Sequence, residues 1–355
     1  MEDIIYASTA ALADAIRQKE VSSEEVVSAH LDRIEAVNPA LNAVVQVSGE
    51  EALEQARAAD AALATGVVPG PLHGVPMTIK DNLDTAGIIS TGGTQGRAAF
   101  VPEEDATVVA RLRSAGSILL GKTNTPELTL AYETDNVVYG RTNNPYDLDR
   151  TPGGSSGGSA AILAAGGTPF EIGSDTGGSL RVPSHFCGTA AIRPTSGRVS
   201  RAGHILPPFG SLEALTTIGP MARSVGDLGL ILPIIAGSDW QDPAVVDMPL
   251  EDPGAVDLSA MRVAVQTDNN VVPASPDVAA AVMAAASALE AAGPVVAAVT
   301  PPGDRTSLRA VPQIAGRRRR CGCRWSARGI WHDRAECVPR WARRAPQRLR
   351  RSHAG

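Results

Sequence analysis

The chain of 355 residues contains no apolar run long enough to read as a membrane-spanning helix. Its opening, MEDIIYAS, places acids where a secretory signal needs basic residues and has no continuous apolar stretch, so the expected location is the cytoplasm. Cysteine is scarce: of four, only Cys187 lies in the body of the chain, while Cys321, Cys323 and Cys337 crowd into its end. That argues against a disulfide framework for the body. There is no internal repeat, and no linker before about residue 300. A hydrophobic share of 43% is ordinary for a globular enzyme.

The net charge of −6 conceals a division. Residues 301–355 hold 15 Arg against 3 acids, a local +12, which leaves 17 basic and 35 acidic residues, or −18, for residues 1–300. Three of the four Trp, at 325, 331 and 341, fall in the same tail. Clusters such as RRRRCGCRW and RRAPQRLRR would suit nucleic acid or acidic lipid through counterion release. The tail has no hydrophobic period, however, and its Arg, Ala, Pro and Gly are what GC-rich codons give when read out of frame. We read residues 301–355 as an aberrant, disordered segment, with neither nucleic acid nor a membrane as partner.

The first third reads as scaffold helices. Ser22 with Glu25 forms a capping-box pattern ahead of Val27, Leu31 and Ile34 at helical spacing, and Asn38-Pro39 is expected to end that helix. Ser48 with Glu51 opens a second, running to about Gly66. GVPMTIK reads as a short apolar strand delivering Lys80, and TVVARLRSAG as a helix capped by Asp105 that leads into the strand SILLGK. MRVAVQTD, the Ala-rich helix 276–292 and VVAAV make a strand-helix-strand unit. This alternation argues for an α/β fold, a mixed sheet with helices on both faces.

Chemistry concentrates between residues 151 and 200. TPGGSSGGSAAILAAGG and GSDTGGSLRVPSHFCGTAAIRPTSGRVS are glycine-dense loops, each with serines among residues that have almost no side chain. Such a backbone can approach a substrate closely and leave a hydroxyl open, the setting of a nucleophile. Two formal motif matches fail on context. Gly116 to Thr123 satisfies the phosphate-loop pattern, yet a helix precedes it and SILL is strand material. Gly153 to Gly157 satisfies the nucleophile-elbow pattern, yet TNNPYDLDRTP ahead of it is turn material where the elbow needs a strand.

These two loops, with GVPMTIKDNLDTAG upstream, resemble the amidase signature family over roughly residues 5 to 300. The resemblance implies the amidase signature fold for 1–300, an incomplete domain because members usually continue with further strands and helices that close the sheet and one wall of the pocket. It implies a Ser-Ser-Lys triad with Ser179 as nucleophile, Ser155 as bridging serine held by a cis Gly154-Ser155 peptide, and Lys80 as base. The backbone N–H groups of Thr176, Gly177, Gly178 and Ser179 become candidate oxyanion donors. No cofactor or metal is implied, the partner is a small amide, and a homodimer is compatible. Lysine at the end of a buried strand suits the role, since desolvation favours the neutral amine. Taken alone, the serines could equally satisfy turns and the lysine could lie at the surface.

Around this triad, Arg181 is a candidate for a substrate carboxylate or an ion-pair anchor, and Ser174 and Asp175 for hydrogen bonds to the loop or to Ser155. Cys187 is expected to be a packed small hydrophobe and His185 a structural residue. The expected activity is hydrolysis of a carboxamide to acid plus ammonia or amine through an acyl-serine. GKTNTPE and YETDNVVYGRTNNP point toward the stand-alone amidases. The alternatives are the A subunit of a glutamine-dependent amidotransferase, or an inactive fragment of an amidase gene.

Overall fold

The computed structural model describes residues 3–66, 70–207, 212, 214–268 and 272–299. The arginine-rich tail, with the expectation of disorder attached to it, lies outside them. The described residues fall into two compact units that divide between residues 251 and 252.

The first unit contains the helices α1 (Thr9–Arg17), α2 (Ser23–Leu41), α3 (Gly49–Ala64), α4 (Thr107–Ser114), α5 (Gly157–Ala164), α6 (Arg181–Cys187) and α7 (Val225–Ile235). Its strands are β1 (Val44–Val47), β2 (Pro76–Lys80), β3 (Ile118–Thr123), β4 (Phe170–Asp175), β5 (Ala190–Ala191) and β6 (Thr217–Ala222). They form one mixed sheet in the order β1-β3-β2-β4-β6-β5. β2 runs parallel to both β3 and β4, and the outer pairings are antiparallel.

Helices cover both faces, and the period-two alternation of the strands divides the core accordingly. Met77, Ile79, Leu119, Phe170, Ile172 and Ile218 pack with Leu12 and Ile16 of α1, Val109 and Leu112 of α4, and Leu228 and Ile231 of α7. Ile118 and Leu120 pack on the other face with Val27 and Ile34 of α2, Ala52 and Ala56 of α3, and Ile162 of α5. Each fully buried aliphatic side chain contributes about 1.5–3 kcal/mol. All five residues of β2 are buried. Because Met77 and Ile79 take the oily face, Thr78 and Lys80 are turned into the other.

The capping box of α2 forms with both bonds in place. One expected helix end and two expected caps differ. α2 continues through Pro39 to Leu41, and the chain turns at Asn42 in the left-handed region, because the Asn38 side chain takes the amides of Ala43 and Val44 at 2.8 Å each. Ser48 stands at the start of α3 but makes no side-chain capping bond. Asp105 does not cap α4: its carboxylate accepts instead from the Ala86 amide at 2.8 Å and from Arg113 at 3.1 Å.

In the second unit, β7 (Arg262–Val265) pairs in parallel with β8 (Val295–Ala298) across α8 (Pro276–Ala291), as the strand-helix-strand reading expects. Ser275 caps α8 and Pro276 occupies its first turn, where a missing N–H costs nothing.

Candidate active site

Lys80 ends β2 with no exposed surface. Its Nζ lies 2.7 Å from Ser155 Oγ, 3.0 Å from Ser156 Oγ and 3.3 Å from Ser174 Oγ. Burial lowers the amine to about 7, although the carboxylates of Asp175 and Glu171 pull the other way. Glu171 shares the Lys80 side of the sheet, since Thr78 pairs with Glu171 and Lys80 with Thr123. Its carboxyl accepts from Thr78, and from Thr123 and Ser159 at 3.0 Å each. Burial pushes it up to about 7 against those hydrogen bonds.

The first glycine loop brings Ser155 to Lys80 from the N-terminal side of α5. No strand precedes it, so the elbow match fails as expected. The Gly154-Ser155 peptide is cis, and Ser155 is 1% exposed. Position 154 must be glycine, because a Cβ there would fall 2.7 Å from the Glu133 backbone nitrogen. The phosphate-loop match also dissolves: Gly121, Lys122 and Thr123 lie inside β3.

The second loop follows β4. The Ser156 amide donates to the Ser179 carbonyl at 3.2 Å and so ties the two loops together. Ser179 Oγ has no hydrogen-bond partner among the described residues. Ser155 and Ser179 are thus brought into neighbouring loops without a direct bond between their hydroxyls. Asp175 organises the turn, accepting from the amides of Gly178 at 2.8 Å and Leu180 at 3.1 Å and from Arg181 Nε and Nη2 at 3.0 Å each. Arg193 stands 3.5 Å from the same carboxylate. Burial opposes its ionisation, but the bonds from Arg181, Leu180 and Gly178 hold the carboxyl below its ordinary value. Gly178 has φ +130°, a conformation L side chains rarely adopt.

Two site assignments change as a result. The Gly178 N–H is engaged by Asp175, so Thr176, Gly177 and Ser179 hold the amides without partners among the described residues. Arg181 forks onto Asp175, which makes it an anchor of the loop rather than an open guanidinium. Ser174 contacts Lys80, not Ser155. Cys187 is buried, 3.6 Å from the Pro152 carbonyl, and burial pushes its thiol up to about 12, as befits a packed residue. His185 is exposed beside Phe186.

Sequence reasoning missed several neighbours. Tyr132 donates its hydroxyl to the Gly177 carbonyl at 2.9 Å, and Ser156 shares Lys80 with Ser155. Asn82 Nδ2 lies 2.8 Å from Ser174 Oγ and 2.7 Å from His204 Nε2. Adjacency to Lys80 and Ser155 could have flagged Asn82 and Ser156. Nothing local points to His204, 122 residues from Asn82. Among the described residues no cluster of three or more His, Cys, Asp or Glu could hold a metal ion, and no helix is long and apolar enough to cross a membrane.

A buried lysine among serine hydroxyls stands below a glycine loop with open amides, groups of the kind that acyl transfer uses. The family model described as Amidase matches residues 25–319, and the chain belongs to the amidase signature family. The A subunit of glutamyl-tRNA(Gln) amidotransferase from Moorella thermoacetica is 43% identical over 316 residues, 88% of this chain and 64% of that protein. The protein of the same name from Carboxydothermus hydrogenoformans is 46% identical over 250 residues, 70% of this chain and 51% of its own length. Among solved structures, fatty acid amide hydrolase superposes with a TM-score of 0.81 at 28% identity, over 88% of this chain and 56% of that one. A bacterial aryl acylamidase of the amidase signature family gives 0.77 at 30%, over 88% and 66%. The chain therefore spans between about half and two-thirds of the length of these relatives. It is an amidase-family protein, with the mixed sheet and two-sided helix cover that the sequence led us to expect.

Proposed function

We propose that the chain cleaves a carboxamide through an acyl-serine, with Ser179 as nucleophile, Ser155 as proton bridge and Lys80 as neutral base. The 2.7 Å contact of a fully buried, weakly basic Lys80 with Ser155 carries this reading. Ser179 Oγ attacks the carbonyl carbon while its proton passes to Ser155 Oγ and the Ser155 proton to Lys80 Nζ. The Ser155–Ser179 bond this needs is one that forms with substrate in place, by rotation of an unpartnered hydroxyl. The oxyanion takes the amides of Thr176, Gly177 and Ser179. On collapse the C–N bond breaks, the leaving nitrogen takes a proton from Ser155, and Ser155 recovers one from Lys80. Water then attacks the ester by the same relay and releases the acid.

For the identity of the amide, the relatives favour the A subunit of a glutamine-dependent amidotransferase over a stand-alone amidase. The curated relatives described above carry that name at 43% and 46% identity, whereas the two solved hydrolases stand at 28% and 30%. This reverses the weight that GKTNTPE and YETDNVVYGRTNNP carry when the sequence is read alone. Glutamine would supply the ammonia, and partner proteins would use it.

Incubation of the chain with a slow amide or ester, followed by peptide mass spectrometry, should find the acyl group on Ser179. An adduct on Ser155 or Cys187 would overturn the assignment. Glutaminase activity measured beside hydrolysis of simple aliphatic and aryl amides separates the two substrate readings.

A further inference from the structure

Lys80 Nζ has three hydroxyl neighbours, and a neutral amine has two hydrogens and one lone pair to divide among them. The division decides whether the amine can act as a base toward Ser155. Ser156 Oγ sends its own hydrogen to the Ser174 carbonyl at 3.3 Å, so toward Lys80 it accepts. Ser155 Oγ has no other partner among the described residues, so its hydrogen is free to go to the Nζ lone pair 2.7 Å away. Ser174 Oγ is the undecided member. At 3.3 Å it can take an N–H from Lys80, or rotate and offer its own hydrogen to the lone pair that Ser155 needs.

Asn82 stands at that decision point. The end of its side-chain amide lies 2.8 Å from Ser174 Oγ and 2.7 Å from His204 Nε2. The Leu206 amide donates to His204 Nδ1 at 2.9 Å, so the imidazole proton sits on Nε2, and the Asn82 amide turns its oxygen to it, taking that hydrogen and the one from Ser174 Oγ. All three groups are buried: Asn82 is 1%, Ser174 2% and His204 6% exposed. Burial and the nearby Lys80 hold His204 far down, at about 3, so it stays neutral at any working pH.

Building on the reading of Lys80 as base, we propose that Asn82, backed by His204, is a positioning residue that holds Ser174 Oγ as an acceptor. With Ser156 and Ser174 each taking one N–H, the lone pair of Lys80 is left facing Ser155. The chain from His204 through Asn82 and Ser174 sets the direction of the proton relay without touching substrate.

The test is the rate at which a small fluorophosphonate phosphonylates Ser179 in the 355-residue chain, with fluoride leaving, followed across pH so that the limiting rate and the inhibitor's binding constant are read separately. Asn82→Ala should lower the limiting rate about 10- to 100-fold with binding unchanged. Ser174→Ala, which deletes a hydroxyl and leaves almost no cavity, should give the same loss in a folded protein. The double variant should be no worse than either single one, because both remove the same constraint. His204→Gln, which keeps an N–H donor, should retain more of the rate than His204→Leu. Additive losses, or wild-type limiting rates in Asn82→Ala and Ser174→Ala, would overturn the inference. Should Asn82→Ala fail to fold, Ser174→Ala decides alone: a wild-type limiting rate overturns the inference and the stated loss supports it. A wild type that takes the label at a residue other than Ser179 overturns the nucleophile assignment and this inference together, whereas labelled Ser179 with unaffected variants removes only the inference.

Discussion

Two of the chain's three lysines, Lys80 and Lys122, are completely buried on the neighbouring parallel strands β2 and β3. Ile79 pairs with Lys122 and Lys80 with Thr123, so the two ammonium sites lie on opposite faces of one sheet. Lys122 Nζ is bonded to the Leu83 carbonyl, to Thr85 Oγ1 at 2.8 Å and to Ser90 Oγ at 3.0 Å. Thr85 and Ser90 send their own hydrogens to the Leu83 and Ile88 carbonyls, both at 3.2 Å. Every partner of Lys122 is therefore an acceptor, and only a charged ammonium supplies three donors. Burial lowers Lys122 to about 8 while Asp81 and Asp84 resist the shift. Around Lys80, in the arrangement proposed above, Ser156 and Ser174 accept and Ser155 donates, which suits a neutral amine. Equal burial thus serves two ends, and what separates a structural lysine from a base is the direction of its hydrogen bonds.

The comparison breaks most sharply on activity. Ser179→Ala and Lys80→Met should each lower acyl transfer by about 10³-fold or more, because members of a relay fail as a unit. Burst kinetics with an activated ester measure this. A Lys80→Met variant within tenfold of wild type would remove the distinction between the two lysines.

The reverse experiment targets stability. Lys122→Met leaves a buried carbonyl and two buried hydroxyls without their donor and should cost about 3 kcal/mol, read from urea unfolding, with the rate per folded molecule retained. Lys80→Met should cost clearly less, since the hydroxyls it abandons can bond to one another. Equal losses would show that hydrogen-bond direction does not separate the sites.

A subtler effect concerns pH. Lys80 is lowered by burial from 10.5 to about 7, so the rate should rise as pH passes through 7, where the amine becomes neutral in the folded protein. Asp175 and Glu171 are the charged groups that resist this lowering, and His204 stays neutral. The same group gives a stability signature. Between 7 and 10.5 the unfolded chain binds a proton that the folded one does not, so the contribution of Lys80 to stability grows with pH across that window. A flat profile from pH 6 to 9, with chemistry rate-limiting, would contradict the relay.

The smallest expected change comes from Glu171→Gln. Removing a buried carboxyl that favours the ammonium form should move the midpoint of the pH profile to lower pH, while the limiting rate is kept. A midpoint moved upward would mean that Glu171 acts on the site by some route other than its charge.

Much of this protein can be read along the chain because the relevant signals are local. An alternating apolar strand ending in Lys80, glycine loops around Ser155 and Ser179, and the capping box at Ser22 each depend on a few neighbouring residues. Sequence by itself therefore determined the mixed α/β class and the residues worth testing. Where a local pattern had competitors in space, the competitor won. Asn38 closes α2 beyond its proline, Asp105 is drawn off to Ala86 and Arg113, and Asp175 takes the Gly178 amide and the Arg181 guanidinium that spacing alone left open. Only the tertiary structure could set Glu171 against Thr78, 93 residues away, or bring His204 to Asn82. The physical reason is that each donor and acceptor has a limited capacity, filled by whichever partners folding brings nearest. Which side chains can form a site is written in their order, but which way each proton points is decided by the whole set of contacts around it.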